Sequence, residues 1–293
     1  MTDVPMINIL EKCGYKSVLN LRKVCHSLRN FIDDSCFKTD LVKIRITICP
    51  TGFSVICQTQ QTTGFANDWT SNDLKVILKM VQNSKLSSFS VCTNSDNAEG
   101  LYNLEEILKN QTRPLQTECF KIKGSELLKV LPCLDSKPLK RISIKPENYE
   151  TDNQNLDGLE KMMELEHFKN AVELHINHCF LVRADLRKFF HFQEIRMRLH
   201  EASLEELEAL KEAFVTSAHM VYFNLVCLNL NGNQLEQLFG TPFHDPCYGE
   251  GTQWFFKIQN CQESVLRIYW YSGWLEFRKL QSEEVPQDAV VQH

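Results

Sequence analysis

The densest cluster of ligand-type side chains is His175, His178 and Cys179. Imidazole nitrogens and a thiolate are zinc ligands. On a strand, residues 175 and 179 share one face while 178 points to the other. The three converge on a metal only through a bend, and no C-x-x-C or second histidine pair supplements them. Glu205, Glu206 and Glu208 offer carboxylates, but they stand in the first turns of a predicted helix, where acids complement the dipole. His244 and Cys247 place a base near a thiol, yet Asp245 and Pro246 between them mark a loop. G-x-G-x-x-G, Walker A and G-x-S-x-G sequences are absent. The sequence therefore assigns no catalytic residue, no metal site and no cofactor.

A chain of 293 residues suggests one small and one large domain. Hydrophobic residues at 43% and charged residues at 24% are ordinary for a globular protein. A net charge of -5 gives no global pull toward nucleic acid. No apolar run approaches the roughly 18 residues of a spanning helix, so no membrane partner is expected. Met1-Thr2-Asp3 has no basic n-region or long apolar h-region after it, so no secretory leader is expected. The twelve cysteines include no two closer than eight residues, and most lie in apolar runs. They read as reduced thiols of a cytoplasmic or nuclear protein.

With no chemistry in view, the elements point to binding. From Val18 to Ile32, apolar side chains at 18, 21, 24, 25, 28, 31 and 32 recur at helical spacing. Arg22, Lys23, Arg29 and Asn30 form the polar face. A shorter segment, Ile7, Ile9, Leu10 and Cys13, precedes it. Gly14 is expected to stop that helix and Ser17 to cap the next. Helices this short cannot bury both faces alone, because a core of under about 40 residues is too thin. They need the rest of the chain or a partner.

The pattern from Leu21-Arg22-Lys23-Val24-Cys25 to Leu28 resembles the second half of an F-box, especially the nematode-type F-boxes of the expanded A class. Val4-Pro5-Met6-Ile7 supplies about one turn less than F-boxes usually have ahead of this point. The resemblance implies contact with a Skp-type adaptor, with Ile9, Leu10, Leu21, Val24, Cys25 and Leu28 at or behind that surface.

Beyond residue 37, strand-like and helix-like runs alternate. Leu225 to Leu235 fits the leucine-rich-repeat template at every specified position. Similar frames end at 94, 125, 147, 179, 200 and 233, spaced by 31, 22, 32, 21 and 33 residues. An outlying frame ends at Cys49. Long helices are expected over 101–110, 156–168 and 203–217, the last opened by a Ser203–Glu206 capping box. Short helical turns are expected near 125–131 and 183–190. Such units bury their apolar faces only by stacking. An ordinary α/β sandwich would also alternate strands and helices. The terminal aromatic runs around Ser272-Gly273 read as a hairpin.

The expected fold is α/β: F-box-like helices over 1–36, then an irregular leucine-rich-repeat-like arc over 37–280 ending in a β-rich hairpin. A loose tail is expected over 281–293.

Residues 70–280 also resemble the FTH domain, which follows F-boxes in many nematode proteins. The likeness runs through Leu174-His175-Ile176, the Ser203 helix and the terminal aromatic strands. Together the two likenesses imply a non-catalytic substrate-recognition subunit of an SCF-type cullin-RING ubiquitin ligase, partnered by the adaptor and cullin complex. A hydrolase with an unrecognised site and an interaction protein without ligase contact are the alternatives.

On the strands, positions between the buried apolar residues are expected to face a target. They include Lys121, Lys123, Arg141, Lys145, His175, Arg196, Arg198 and Asn229. Their basic balance within an acidic chain implies an acidic or phosphorylated target.

Overall fold

The computed structural model describes residues 4–35, 37–93, 97–124, 126–149, 154–156, 158–244, 251–259 and 261–292. The frame ends at Asn94 and Ser125, and also Cys247, lie outside these residues. The chain divides into two compact units. Unit 1 comprises residues 1–147 and 158–171, and unit 2 comprises 148–157 and 172–293.

Unit 1 opens with α1 (Val4–Lys12), α2 (Tyr15–Leu21) and α3 (His26–Asp34). The run from Val18 to Ile32 is thus two helices, not one. Arg22 ends α2, and Cys25, in extended conformation, caps α3 by accepting the Leu28 amide on its sulfur at 3.5 Å. Gly14, rather than Ser17, is the N-cap of α2. The break is held by a two-pronged ion pair: Arg22 Nε and Nη2 donate to Asp33 Oδ1 and Oδ2 at 2.6 and 2.8 Å. That contact turns α3 back onto α2.

A six-stranded sheet follows: β1 (Leu41–Cys49), β2 (Gly52–Thr59), β3 (Thr63–Trp69), β4 (Ser88–Cys92), β5 (Cys119–Lys123) and β6 (Arg141–Lys145). Its order is β6-β5-β4-β1-β2-β3. β6, β5, β4 and β1 run parallel, while β2 and β3 add antiparallel strands. The sequence reading missed β2 and β3, although the alternation of Phe53, Val55 and Cys57 marks the first.

Two apolar rows cross the parallel strands. Ile44, Phe89, Phe120 and Ile142 are in register, as are Ile46, Val91, Ile122 and Ile144. All eight are buried. The helices α4 (Ser71–Met80), α5 (Ala98–Lys109) and α6 (Leu127–Val130) bury their own apolar stripes, among them Leu74, Ile77, Leu104, Ile107 and Val130. Thr70 and Asp73 cap α4 reciprocally.

The helix expected over 156–168 is broken into α7 (Leu159–Glu164) and α8 (Glu166–Asn170). Leu165 is extended between them, and His167 then bonds its Nε2 to the Leu134 carbonyl at 2.8 Å. Buried Met162 and Phe168 each need their own inward direction.

Unit 2 contains β7 (Gln154–Asn155), β8 (Glu173–Ile176), β9 (Phe180–Val182), β10 (Glu194–Leu199), β11 (Tyr222–Val226), β12 (Thr252–Lys257), β13 (Ser264–Tyr271), β14 (Trp274–Gln281) and β15 (Val291–Gln292). The main order is β15-β12-β13-β14-β11-β10-β8. β8, β10 and β11 are parallel, and β14, β13 and β12 continue antiparallel. Its helices are α9 (Leu204–Thr216), with the expected Ser203–Glu206 capping box, and α10 (Gly232–Phe239). Phe214 packs edge-on to Phe223 and stacks near Phe277, anchoring α9 to the sheet.

The terminal hairpin has the expected register, Trp270 opposite Leu275 and Ile268 opposite Phe277. Ser272 and Gly273 have φ of 47 and 85 degrees, the pair of positive values that a type I′ turn demands. The expected loose tail is instead tied down. Val285 and Ala289 pack on Phe255, Val265 and Leu280, and β15 pairs with β12.

All ten described cysteines are thiols rather than disulfides. Burial pushes the Cys57 and Cys227 thiols up to about 12. Cys25 is exposed, and the Ser264 hydroxyl beside Cys261 holds that thiol below its usual value.

Two predictions follow from this packing. Asp33→Ala should lower stability to urea by about 1 kcal/mol, with a coupling to Arg22→Ala of similar size in a double-mutant cycle. Zero coupling would contradict the bridge as the element that fixes the α2–α3 angle. Native alkylation at pH 8 followed by peptide mass mapping should label Cys25 and Cys261 first and Cys57 and Cys227 last, because the thiolate is the reactive form. Equal rates at Cys25 and Cys227 would contradict the burial.

Candidate interaction surfaces

The apolar residues of the three N-terminal helices divide into buried and exposed ones. Leu10 is 0% exposed and, with Tyr15, Val18 and Ile32, belongs to the core. It lies behind any contact surface rather than in it. Ile9 is 52% and Val24 68% exposed, Cys25 is exposed, and Leu21 and Leu28 are half-buried. Val4 and Met6 add exposed apolar surface that the sequence reading did not single out. Val24 stands in the break between α2 and α3, so no turn of helix hides it. Apolar side chains that the fold itself leaves uncovered are candidates for a protein contact when they form one patch.

In unit 1, Lys121 and Lys123 on β5 and Arg141 and Lys145 on β6 share one side of the pleat, opposite the apolar rows. Lys121 and Lys145 are exposed, and Lys123 and Arg141 are half-buried. β1 contributes two more cations to that side, Lys43 and Arg45, in register with Ser88 and Ser90 of β4. The sequence reading omitted both, although the frame ending at Cys49 carries them at the same alternate positions.

In unit 2, the same alternation yields a different surface. His175 Nε2 lies 4.0 Å from a Glu173 oxygen, and the ligand atoms of Glu173, His175 and Glu194 fall within 4.8 Å of one another. Such a group can share a proton or attract a cation. Arg196 is the cross-strand partner of His175, and its guanidinium stacks on Tyr222 at 5.2 Å. Arg198 donates to the His178 carbonyl at 3.4 Å. Both expected target-binding arginines are thus engaged within their own unit.

Asn229 is exposed, but its side-chain amide is bonded within the unit. β11 ends at Val226, so residue 229 lies beyond the strand. Its amide accepts from the Ala202 amide at 3.2 Å and donates to the Ala202 carbonyl at 2.9 Å. The repeat-like asparagine ties a loop to the start of α9.

The remaining candidates of the sequence also separate. His178 packs edge-on to Trp274 with centroids 4.6 Å apart. Burial first, then Arg198 and Arg196, lowers its pKa. Cys179 is buried, its sulfur toward the Tyr149 carbonyl at 3.9 Å. His175, His178 and Cys179 therefore have three different surroundings. Glu206 completes the capping box and accepts the Leu186 amide, while Glu205 approaches Arg187. Trp274 and Tyr271 remain partly exposed, so the hairpin presents an aromatic edge. Arg267 of the same hairpin is paired with Glu276. No helix among the described residues is long and apolar enough to cross a membrane.

Two family models match the chain. A family model of the F-box domain matches residues 1–40, and one of the FTH domain matches residues 98–243. Among curated proteins and among solved structures, nothing matches the chain. The F-box match covers α1–α3, and the FTH match runs from α5 to just past α10. The chain belongs to the proteins that join an F-box domain to an FTH domain.

Proposed function

We propose that this chain is the substrate-recognition subunit of an SCF-type cullin-RING ubiquitin ligase. F-box domains are commonly the substrate-recognition adaptors of such ligases and are typically non-catalytic. The observation that carries the reading is the apolar surface that α1–α3 leave uncovered within the F-box match, with Ile9, Val24 and Cys25 exposed and Leu21 and Leu28 half-buried. Left in water it costs free energy; against a Skp-type adaptor it is buried. The adaptor would link the chain to the cullin complex, and the sheet faces beyond would hold a target protein of acidic or phosphorylated character. A net charge of -5 favours a protein target over nucleic acid. The thiols suit a reducing compartment, cytoplasm or nucleus.

The test is capture of a purified Skp-type adaptor by the full chain and by the variant Leu21→Ala with Val24→Ala. Neither residue belongs to the buried core, so the fold should persist on circular dichroism. Apolar interface anchors typically contribute about 2 kcal/mol or more, so adaptor affinity should fall at least about tenfold. Unchanged capture by the folded variant would refute the assignment.

A further inference from the structure

We propose that the pleat side of β1, β5 and β6 in unit 1 is the charged docking surface of the chain, and that its occupant is an extended polypeptide segment rich in Asp and Glu. This rests on the receptor reading and narrows it to one surface and one chemistry.

The six cations are Lys43 and Arg45 on β1, Lys121 and Lys123 on β5, and Arg141 and Lys145 on β6. Register fixes them on one side: Arg45 aligns with Ser90, Lys121 and Ser143, and Lys123 aligns with Cys92 and Lys145. Strands lie about 4.8 Å apart and alternate residues about 7 Å apart, so the cations form a two-dimensional grid. The strands β1, β4, β5 and β6 contain no Asp or Glu. Neighbouring carboxylates already have partners within the unit. Glu118 is held by Lys85 and Lys140 at 2.8 and 3.3 Å, and Glu147 accepts from Thr93 at 2.7 Å. Among the described residues, Lys43, Arg45, Lys121, Lys123 and Lys145 form no ion pair. An anionic partner would relieve their mutual repulsion.

The arrangement favours carboxylates over one phosphoryl group. A phosphate site gathers Arg forks and backbone N–H groups around one point. Here four of six cations are Lys, they spread over three strands, and the backbone N–H groups are spent in the ladder. A run of acidic side chains matches distributed point charges. Unit 2 offers no equivalent, because Arg196 is stacked on Tyr222 and Glu173 and Glu194 stand beside it.

The experiment measures fluorescence anisotropy of a labelled ten-residue Asp/Glu peptide on the full chain at low and physiological salt. A Gln/Asn peptide and a peptide with one phosphoserine are the comparisons. The acidic peptide should bind best and weaken as salt rises. Lys121→Glu with Lys145→Glu, and separately Lys43→Gln with Lys121→Gln, should reduce its affinity at least tenfold and fourfold; Arg196→Gln should change it less than twofold. No binding at low salt, binding insensitive to both lysine variants, or preference for the phosphoserine peptide would overturn the proposal. Adaptor capture by the same variants separates the two readings. Its loss from the unaltered chain would count against the receptor assignment, whereas its retention alongside a failed peptide test would count against this surface alone.

Discussion

The two-residue period of the parallel pleat is the constraint from which the rest of unit 1 follows. Each step along a strand sends the next side chain to the opposite side. The rows from Ile44 to Ile142 and from Ile46 to Ile144 are buried on one side, and burying each such side chain contributes about 1.5–3 kcal/mol. A slip of one residue would drive Lys121, Lys123 and Arg141 into that core. The register is therefore held by apolar packing, and the cationic side is its geometric consequence.

The helices at the N-terminus obey a related constraint at smaller scale. Leu10, Tyr15, Val18 and Ile32 are committed inward. The Asp40 carboxylate accepts the Tyr15 amide at 2.9 Å, and the Tyr15 ring lies so close to Gly64 that an added Cβ would stand 1.9 Å from its hydroxyl. Burial accordingly pushes the Tyr15 hydroxyl up to about 12. With the inner side fixed in this way, Ile9, Val24 and Cys25 are left outside. The same economy of short helices that demands a partner also decides which side meets it.

What could be read in the sequence was whatever depends on neighbours a few residues away. The strands at 119–123, 141–145 and 194–199, the Ser203 cap and the Ser272-Gly273 turn are all local patterns. What escaped depends on contacts distant in sequence. The break at 22–25 rests on Asp33, and Asn229 is claimed by Ala202, although its spacing alone suggests a repeat. The break at Leu165 follows from the separate burial of Met162 and Phe168. The segment after 281 is ordered by Phe255 and Val265. Arg196 and Arg198 have the right alternation, but the Tyr222 ring and the His178 carbonyl that engage them are brought close only by the fold.

The receptor assignment is tested most directly by amide hydrogen exchange of the full chain, alone and with a saturating Skp-type adaptor. It predicts slowed exchange over residues 4–34, with the amides of β4, β5 and β6 exchanging as in the free chain. Slowing over those three strands with none over residues 4–34, or no slowing anywhere, would contradict it.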